Sequence, residues 1–548
     1  MSNRLEFIVT CLESFEDIEI SESFKEIQDL ISGKITIAES GLKLEFETII
    51  LPQYPFQSHD TETIRFINKN LISFNHVNAD GSICVHTLHN PDLKSKLFFD
   101  LDALRQWIRK YYINKNSDNH YEHLIVNEIG ELHTKVSFLF TEVNYLFKDG
   151  EFGFFQYSYQ ARGKDGDKER DTYLVNGFIV NKAISVSAWS SFYLNSEFST
   201  GIFLFLDKAP VKRERFLIDN WIDLNSSVGQ DFMNFFYKCR KYQFKRLIED
   251  KYFPILIGYN IPENEIHWQC ALIDIYNFPS EGKDLGPSRG WIGLFKNMQI
   301  TWASTKNCSY KYFFGRGRLY EKLTDKKIII IGIGAVGSII AYTLIRGGCK
   351  YIALADYDIK QPENVCRSEY AFNSGINSKV IDLGMRLIQV SPFVEILPYS
   401  YLMDAIKYYI NNKSLKEDIR KRIEEYDLII DCTADNDVAY ILDSLSLRSD
   451  LISISVANNA KALFCSTKPD LYRWFTTISK DFVIENDELY EPLGCWSPTF
   501  KASYNDINTL VQFALKHINL TLKADKVLRP FHLIAEYKEG FNIKLSQF

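Results

Sequence analysis

The first third of the chain alternates apolar and polar positions in short registers. A helix-like stretch runs from the start to near Gly33, and residues 34–38 and Leu42–Ile50 then alternate as two neighbouring strands. Pro52, Tyr54 and Pro55 interrupt the sheet pattern, and a third short strand follows at 64–66. Leu101, Leu104, Trp107, Ile108 and Tyr111 recur at helical spacing, with Asp100 placed to cap the helix they define. These elements predict a compact α+β unit over 1–145. Across 146–310 the chain turns to aromatics and short β-like runs separated by polar turns such as 163–167, and it holds no catalytic constellation. That stretch reads as a β-rich connector. After Lys326 the pattern changes again: a strand over Lys327–Ile331, a Gly loop, a helix over 338–346, a stop at Gly347 and Gly348, and a strand over Tyr351–Ala355. Further buried strands at 427–430 and 451–456 continue the alternation, which predicts a mostly parallel sheet covered by helices over 311–548.

Composition fits this multidomain α+β, β-rich and α/β organisation. At 548 residues the chain exceeds the size at which one hydrophobic core stops growing. A net charge of −7 without a dense Lys/Arg block gives no attraction for phosphate backbones or anionic lipid, which argues against nucleic acid and membranes as partners. The start has no basic flank followed by an apolar stretch, and the longest apolar runs are far too short for a bilayer, so a soluble cytoplasmic protein is expected. Ten cysteines are scattered without a C-x-x-C pair, so neither a disulfide framework nor a zinc ribbon is expected.

The Gly loop is the strongest chemical signal. Gly332-Ile333-Gly334-Ala335-Val336-Gly337 sits between a buried strand and an amphipathic helix, the context in which G-x-G-x-x-G brings backbone N–H groups to phosphate oxygens. Asp356 lies nineteen residues past Gly337 at the end of the next strand, where it can accept from a ribose hydroxyl. To this point NAD and ATP are equally possible.

The segments Ala355-Asp356-Tyr357-Asp358, Glu363-Asn364-Val365-Cys366-Arg367, Ser378-Lys379-Val380 and Asp431-Cys432-Thr433-Ala434-Asp435-Asn436 separate the two. Together they resemble the ThiF-like adenylating superfamily, which includes ubiquitin-activating enzymes and the bacterial enzymes that activate sulfur carriers. The resemblance covers about 313–522. It implies ATP and Mg²⁺, with Asp356 on the ribose, Asn364, Arg367 and Lys379 on the triphosphate, and Asp435 on the metal. Those residue types suit the chemistry, since a carboxylate attacking a phosphate needs cations to offset repulsion. Ser368 stands where the family has Gln, and the zinc-binding cysteine pairs of several relatives are missing. Asp358 reads as a turn cap, an ion-pair partner or a site residue. Adenylating relatives commonly pair through this half with an arginine upstream of the Gly loop; Arg316 and Arg318 are placed similarly, and a homodimer is expected.

Two cysteines look chemical. Pro52-Gln53-Tyr54-Pro55, His76-Val77-Asn78 and Gly81-Ser82-Ile83-Cys84 resemble the ubiquitin-conjugating fold over about 30–112, in which such a segment carries the acceptor cysteine. Val77 replaces a proline of that family, and the Asn78-to-Cys84 spacing is two residues short, which puts an oxyanion role for Asn78 in doubt. A thiol suits the task, because an acyl thioester stays activated after adenylation and is still transferable to an amine. His86 and His89 lie close to Cys84 in sequence and read as surface or packing residues, with general base as the alternative. Cys495, in an irregular loop ahead of the helical pattern Ile507, Leu510, Val511, Ala514, Leu515 and Ile518, is similar in position to a crossover loop that passes over the nucleotide in adenylating relatives. Cys349, Cys366 and Cys432 read as packing residues.

An adenylating half and a conjugating-like unit in one chain resemble the fused ubiquitin-transfer enzymes of bacterial antiphage (CBASS) systems. That resemblance implies a protein C-terminus as substrate, that of a cGAS-like nucleotidyltransferase, joined to a target amine through thioesters on Cys495 and then Cys84. The alternatives are a ThiF-like sulfur-carrier adenylyltransferase, which leaves the Cys84 motif without use, and a catalytically inert nucleotide-binding scaffold.

Overall fold

The computed structural model describes residues 3–59, 61–116, 130–212, 216–261, 265–284, 286, 291–482, 502–537 and 539–548. It divides into two compact units: one of 1–139, 145–185 and 198–306, the other of 140–144, 186–197 and 307–548.

The first unit opens with helix α1 (Asn3–Glu13), an antiparallel sheet of β1 (Ile18–Ile27), β2 (Leu30–Glu39), β3 (Leu42–Ile50) and β4 (Ile64–Ile67) in sequential order, and helix α2 (Leu93–Trp107). The helix expected to reach Gly33 ends at Glu13, and β1 takes the remainder. Only Phe24 of β1 is buried, so this edge strand carries little of the alternation that marks β2. Asp100 is not a cap either. Helix α2 starts two turns earlier behind Asp92, whose side chain accepts from the Ser95 N–H at 2.9 Å, and Asp100 sits fully buried on its inner face. Leu97, Leu101, Leu104 and Ile108 of that face pack with Phe46, Phe66 and Ile35 into one core.

Residues 136–307 supply a largely antiparallel sheet in the order Val136–Phe140, Thr301–Asn307, Glu265–Asp274, Tyr252–Ile261, Ser199–Leu206, Phe152–Asp165, Lys168–Val180 and Ala183–Val186. An additional parallel pairing of Val136–Phe140 with Lys168–Val180 closes it on itself. The aromatics of this stretch fill its interior, with Phe178 stacked on Trp268 at 4.5 Å between centroids.

In the second unit eight strands run in the order Glu395–Tyr399, Tyr351–Ala355, Lys327–Ile331, Leu428–Asp431, Asp450–Ala457, Ala462–Thr467, Phe531–Tyr537 and Phe541–Gln547. The first five are parallel and the last three antiparallel. Ile328 and Ile330 face one core while Ile329 and Ile331 face the other, which is why this strand is an unbroken isoleucine run. The predicted apolar stripe from Ile507 to Ile518 is buried along helix Tyr504–Lys523.

Candidate active site

The parallel strands Lys327–Ile331 and Leu428–Asp431 are neighbours from which the chain departs in opposite directions, and such a switch point opens a crevice at the strand ends. A cleft of about 460 Å³ lies there, lined by the Gly332 and Gly334 loop, 355–358, Lys379, 402–404, Lys407, 432–433, Asp435 and Val438. Gly332 adopts φ +81°, and a Cβ on it would lie 2.8 Å from the Thr433 nitrogen, so the loop passes too close to the neighbouring strand end for any side chain. Gly337, one turn into helix Ala335–Arg346, lets that helix approach the loop: a Cβ there would stand 2.0 Å from the Gly332 carbonyl oxygen. Gly334 has open space in front of it.

Charge is arranged around this loop in pairs. The Asp356 carboxylate accepts from the Ile333 N–H (2.9 Å) and from the Asp358 N–H (2.9 Å), which fixes it at the cleft wall with acceptor capacity left over. Lys379, the first residue of helix Lys379–Val390, donates to Asp358 at 2.5 Å. Lys407, on helix Leu402–Tyr409, donates to Asp435 at 2.9 Å. Asp435 caps helix Asn436–Ser444, its other oxygen accepting from the N–H groups of Asp437 and Val438. Burial pushes the Asp435 carboxyl up, but the Lys407 ammonium and those backbone donors outweigh it and hold the group below the usual carboxylate range. Leu402, Met403 and Val438 give the cleft an apolar wall.

Of the residues expected here, Gly332, Gly334, Asp356, Lys379 and Asp435 meet at the cleft, and Asp358 joins them. Gly337 supports the loop from behind. Asn364 and Arg367 are not among the lining residues; both lie on the turn Pro362–Arg367, where the Asn364 Oδ1 accepts from the Gln361 N–H at 2.9 Å in a capping box. Ser368 is buried and bonds back to the Asn364 carbonyl. Arg318 packs over Tyr310 and donates to Thr324 at 3.1 Å, and both it and Arg316 are exposed. Cys349 is buried as expected; Cys366 is exposed, and Cys432 lines the cleft with its thiol pushed well up by burial. Cys495 lies outside the described residues. Lys407 was missed, since a single lysine in an amphipathic helix carries no motif.

One protein carboxylate suits Mg²⁺, which keeps several waters and takes the rest of its ligands from substrate phosphates. Asp435 fits that role, with Lys407 as the cation it would have to share or release. Among the described residues no group of three or more His, Cys, Asp and Glu is placed to hold a metal by itself.

Cys84 sits in the first unit, beside a second cleft of about 510 Å³ lined by Glu62, Arg65, Asn78, Asp80, Cys84 and His86, among others. Its segment is pinned by backbone bonds from Ile83 N–H to Phe66 O (2.8 Å) and from Cys84 N–H to His76 O (2.8 Å). The thiol is half-buried, and its Sγ lies 3.4 Å from the His86 Nε2. The Asn78 amide donates to the Ser82 hydroxyl at 2.9 Å. Beneath the segment is a buried ionic network that no motif in the sequence marks. Lys96 donates to Glu62 (2.8 Å), Thr87 (2.8 Å) and Asp100 (2.5 Å), and Asp100 also accepts from Thr87 (2.5 Å) and Tyr54 (2.8 Å).

Residues 309–463 match the ThiF family. The chain is similar to the ATP-dependent ubiquitin transferase-like protein Cap2 of Enterobacter hormaechei subsp. hoffmannii (strain UCI 50), at 28% identity over 40% of this chain and 36% of that protein. It is also similar to ubiquitin-like modifier-activating enzyme 5 of Caenorhabditis briggsae, at 34% identity over 21% of this chain and 27% of the relative. The chain thus spans about a quarter to a third of the length of these curated relatives. Among solved structures, E. coli MccB with ATP aligns with 41% of this chain and 65% of its own, at a TM-score of 0.30 and 12% identity. The match over 309–463 places a ThiF-like domain in the C-terminal region, as the motifs there implied.

Proposed function

We propose that this chain uses ATP to adenylate the C-terminal carboxylate of a protein, takes the acyl group onto Cys495, passes it to Cys84 and delivers it to a target amine. The observation that carries the reading is the presence in one chain of two unlike clefts. One sets a Gly loop against two lysines and the carboxylates they pair with, and the other presents a half-buried thiol beside an imidazole. In the first, Asp356 holds the ribose, the loop N–H groups and Lys379 with Lys407 receive the phosphates, and Asp435 holds Mg²⁺, which when bound neutralises phosphate charge. Each lysine already faces a carboxylate it can exchange for a phosphate, so the cleft stores its cations in place. Asn364 and Arg367 belong to the triphosphate site through the family motif.

The carboxylate displaces pyrophosphate from the α-phosphorus; a thiol then displaces AMP, and thioester exchange moves the acyl group on without further ATP. Residues 1–145 act as the conjugating-like unit, a reading supported by the helix, four-strand sheet and helix order with Cys84 following the last strand. Residues 146–310 connect, and 311–548 adenylate. The likeness to fused antiphage enzymes favours a cGAS-like nucleotidyltransferase as the protein substrate, and the likeness to adenylating relatives favours a homodimer with Arg316 or Arg318 reaching the partner's nucleotide. The test is ATP–pyrophosphate exchange dependent on Mg²⁺ and on a protein with a free C-terminus. Exchange that a C-terminally amidated substrate supports equally well would refute it.

A further inference from the structure

The Cys84 cleft also holds His86, two residues beyond the thiol. Residues 82 and 83 are held by isolated bridges to Ile67 and Val77, which leaves the following residues extended. In an extended chain alternate side chains share a face. Val85 accordingly turns into the core, while Cys84 and His86 turn out together, with Sγ and Nε2 within hydrogen-bond reach at 3.4 Å.

The next residue anchors this geometry. Thr87 donates its N–H to Glu62 at 3.2 Å and its hydroxyl to Asp100 at 2.5 Å, and it accepts from Lys96 at 2.8 Å. All three partners are at least nine-tenths buried. A segment clamped on one side by backbone bridges and on the other by a buried ion network holds its outward pair in one arrangement, which is what proton transfer between two side chains needs. The charged groups around the pair are otherwise engaged: Glu62 with Lys96, and Asp80 with Arg65 at 3.9 Å and with Ser82. His89 stacks on Phe56, and His76 packs on Tyr111.

We infer that His86 is the proton-handling partner of Cys84, an assignment that deepens the reading of Cys84 as acyl acceptor and rests on it. The Sγ proton passes to Nε2, giving thiolate and imidazolium. The thiolate attacks an incoming acyl thioester; the new S–acyl bond forms at Cys84, and the donor cysteine leaves as thiolate and recovers a proton from the imidazolium. When a neutral amine attacks the Cys84 thioester, the amide bond forms, the Cys84–acyl bond breaks, and Nε2 takes the amine proton. The pair is thereby returned to thiolate and imidazolium. Lys96, Glu62 and Asp100 are positioning residues that act through Thr87.

The test uses the full chain and needs neither ATP nor substrate. Iodoacetamide modification of the Cys84 peptide, followed by mass spectrometry so that exposed Cys366 is scored separately, is measured from pH 5.5 to 9 in wild type, His86→Gln and His86→Asn. A thiol whose proton an adjacent imidazole accepts holds more thiolate below the ordinary thiol range, a gain that outweighs the accompanying loss of nucleophilicity. Wild type should therefore react severalfold faster than either variant at pH 6.5, and the advantage should shrink as the pH approaches 9. Superimposable profiles in all three proteins would overturn the assignment. Absence of ATP–pyrophosphate exchange would overturn the proposed function instead and leave the alkylation result standing.

Discussion

Replacing Lys96 with Met removes the one cation that the buried carboxylates Glu62 and Asp100 share. Lys96 is 2% exposed and Asp100 fully buried, so water cannot take over from the ammonium. Breaking a buried pair by removing one partner costs about 3–5 kcal/mol. Opening of helix α2 and of the Cys84 segment should then become about two to nearly four orders of magnitude more frequent. Amide hydrogen exchange on the full chain, followed in peptides covering 82–107, reads this directly, with peptides of the second unit as internal controls. The deficit should also depend on pH. In the wild type, burial raises the Asp100 carboxyl against the pull of Lys96, so its contribution is present at low pH and fades as pH rises through that raised value. For Glu62, burial is outweighed by Lys96, Gln57 and Thr87, and the group is lowered. Its contribution is present above the ordinary carboxylate range and fades as pH falls through the lowered value. The two slopes oppose one another. Without the ammonium both carboxyls rise, so the variant should recover part of its protection between pH 7 and pH 5. The triple variant Glu62→Gln/Lys96→Met/Asp100→Asn, which leaves no buried charge unpaired, should recover most of it at pH 7. Unchanged protection in Lys96→Met, or a deficit that widens on acidification, would refute the reasoning.

Other outcomes follow from the Gly loop and its charges. Gly334→Ala, whose Cβ points into open space, should change stability by less than about 1 kcal/mol yet abolish stabilisation by ATP in a thermal shift assay, whereas Gly337→Ala, whose Cβ meets the Gly332 carbonyl, should lower stability by about 1–3 kcal/mol or more without ATP. Asp435→Asn keeps an acceptor for the helix cap but removes the charge, so unfolding should move by no more than about 1 kcal/mol while Mg²⁺-dependent pyrophosphate exchange falls at least a hundredfold.

The C-terminal half was legible because its chemistry is local in sequence. The isoleucine run at 328–331, the glycines after it and the stripe from Ile507 to Ile518 each follow from one period. Strand β1 was lost because its solvent-facing pattern imitates a polar helix end, and Asp100 was misread because a buried carboxylate and a capping one look alike until the partner is known. A signal for that partner was present: Lys96 and Asp100 stand four apart on the face shared with Leu97, Leu101 and Leu104, where an isolated charge would be costly. His86 had a weaker one, its two-residue spacing from Cys84 in an extended segment. Lys407 and the clamp on Thr87 join elements far apart in sequence, and no local pattern carries them.

In the proposed relay an activated carboxyl group reaches Cys84 through the chain's own thiols. The direct measurement is intact and peptide mass analysis of the protein after reaction with ATP, Mg²⁺ and its protein substrate under non-reducing conditions. The account predicts an adduct equal to the substrate less one water, cleaved by thiol reductant and mapped to Cys84. With Cys84→Ala the adduct should remain on Cys495 and no amide product should form; with Cys495→Ala pyrophosphate exchange should persist without any adduct. Normal ligation by either variant, or active exchange in the wild type with no adduct on either cysteine, would contradict it.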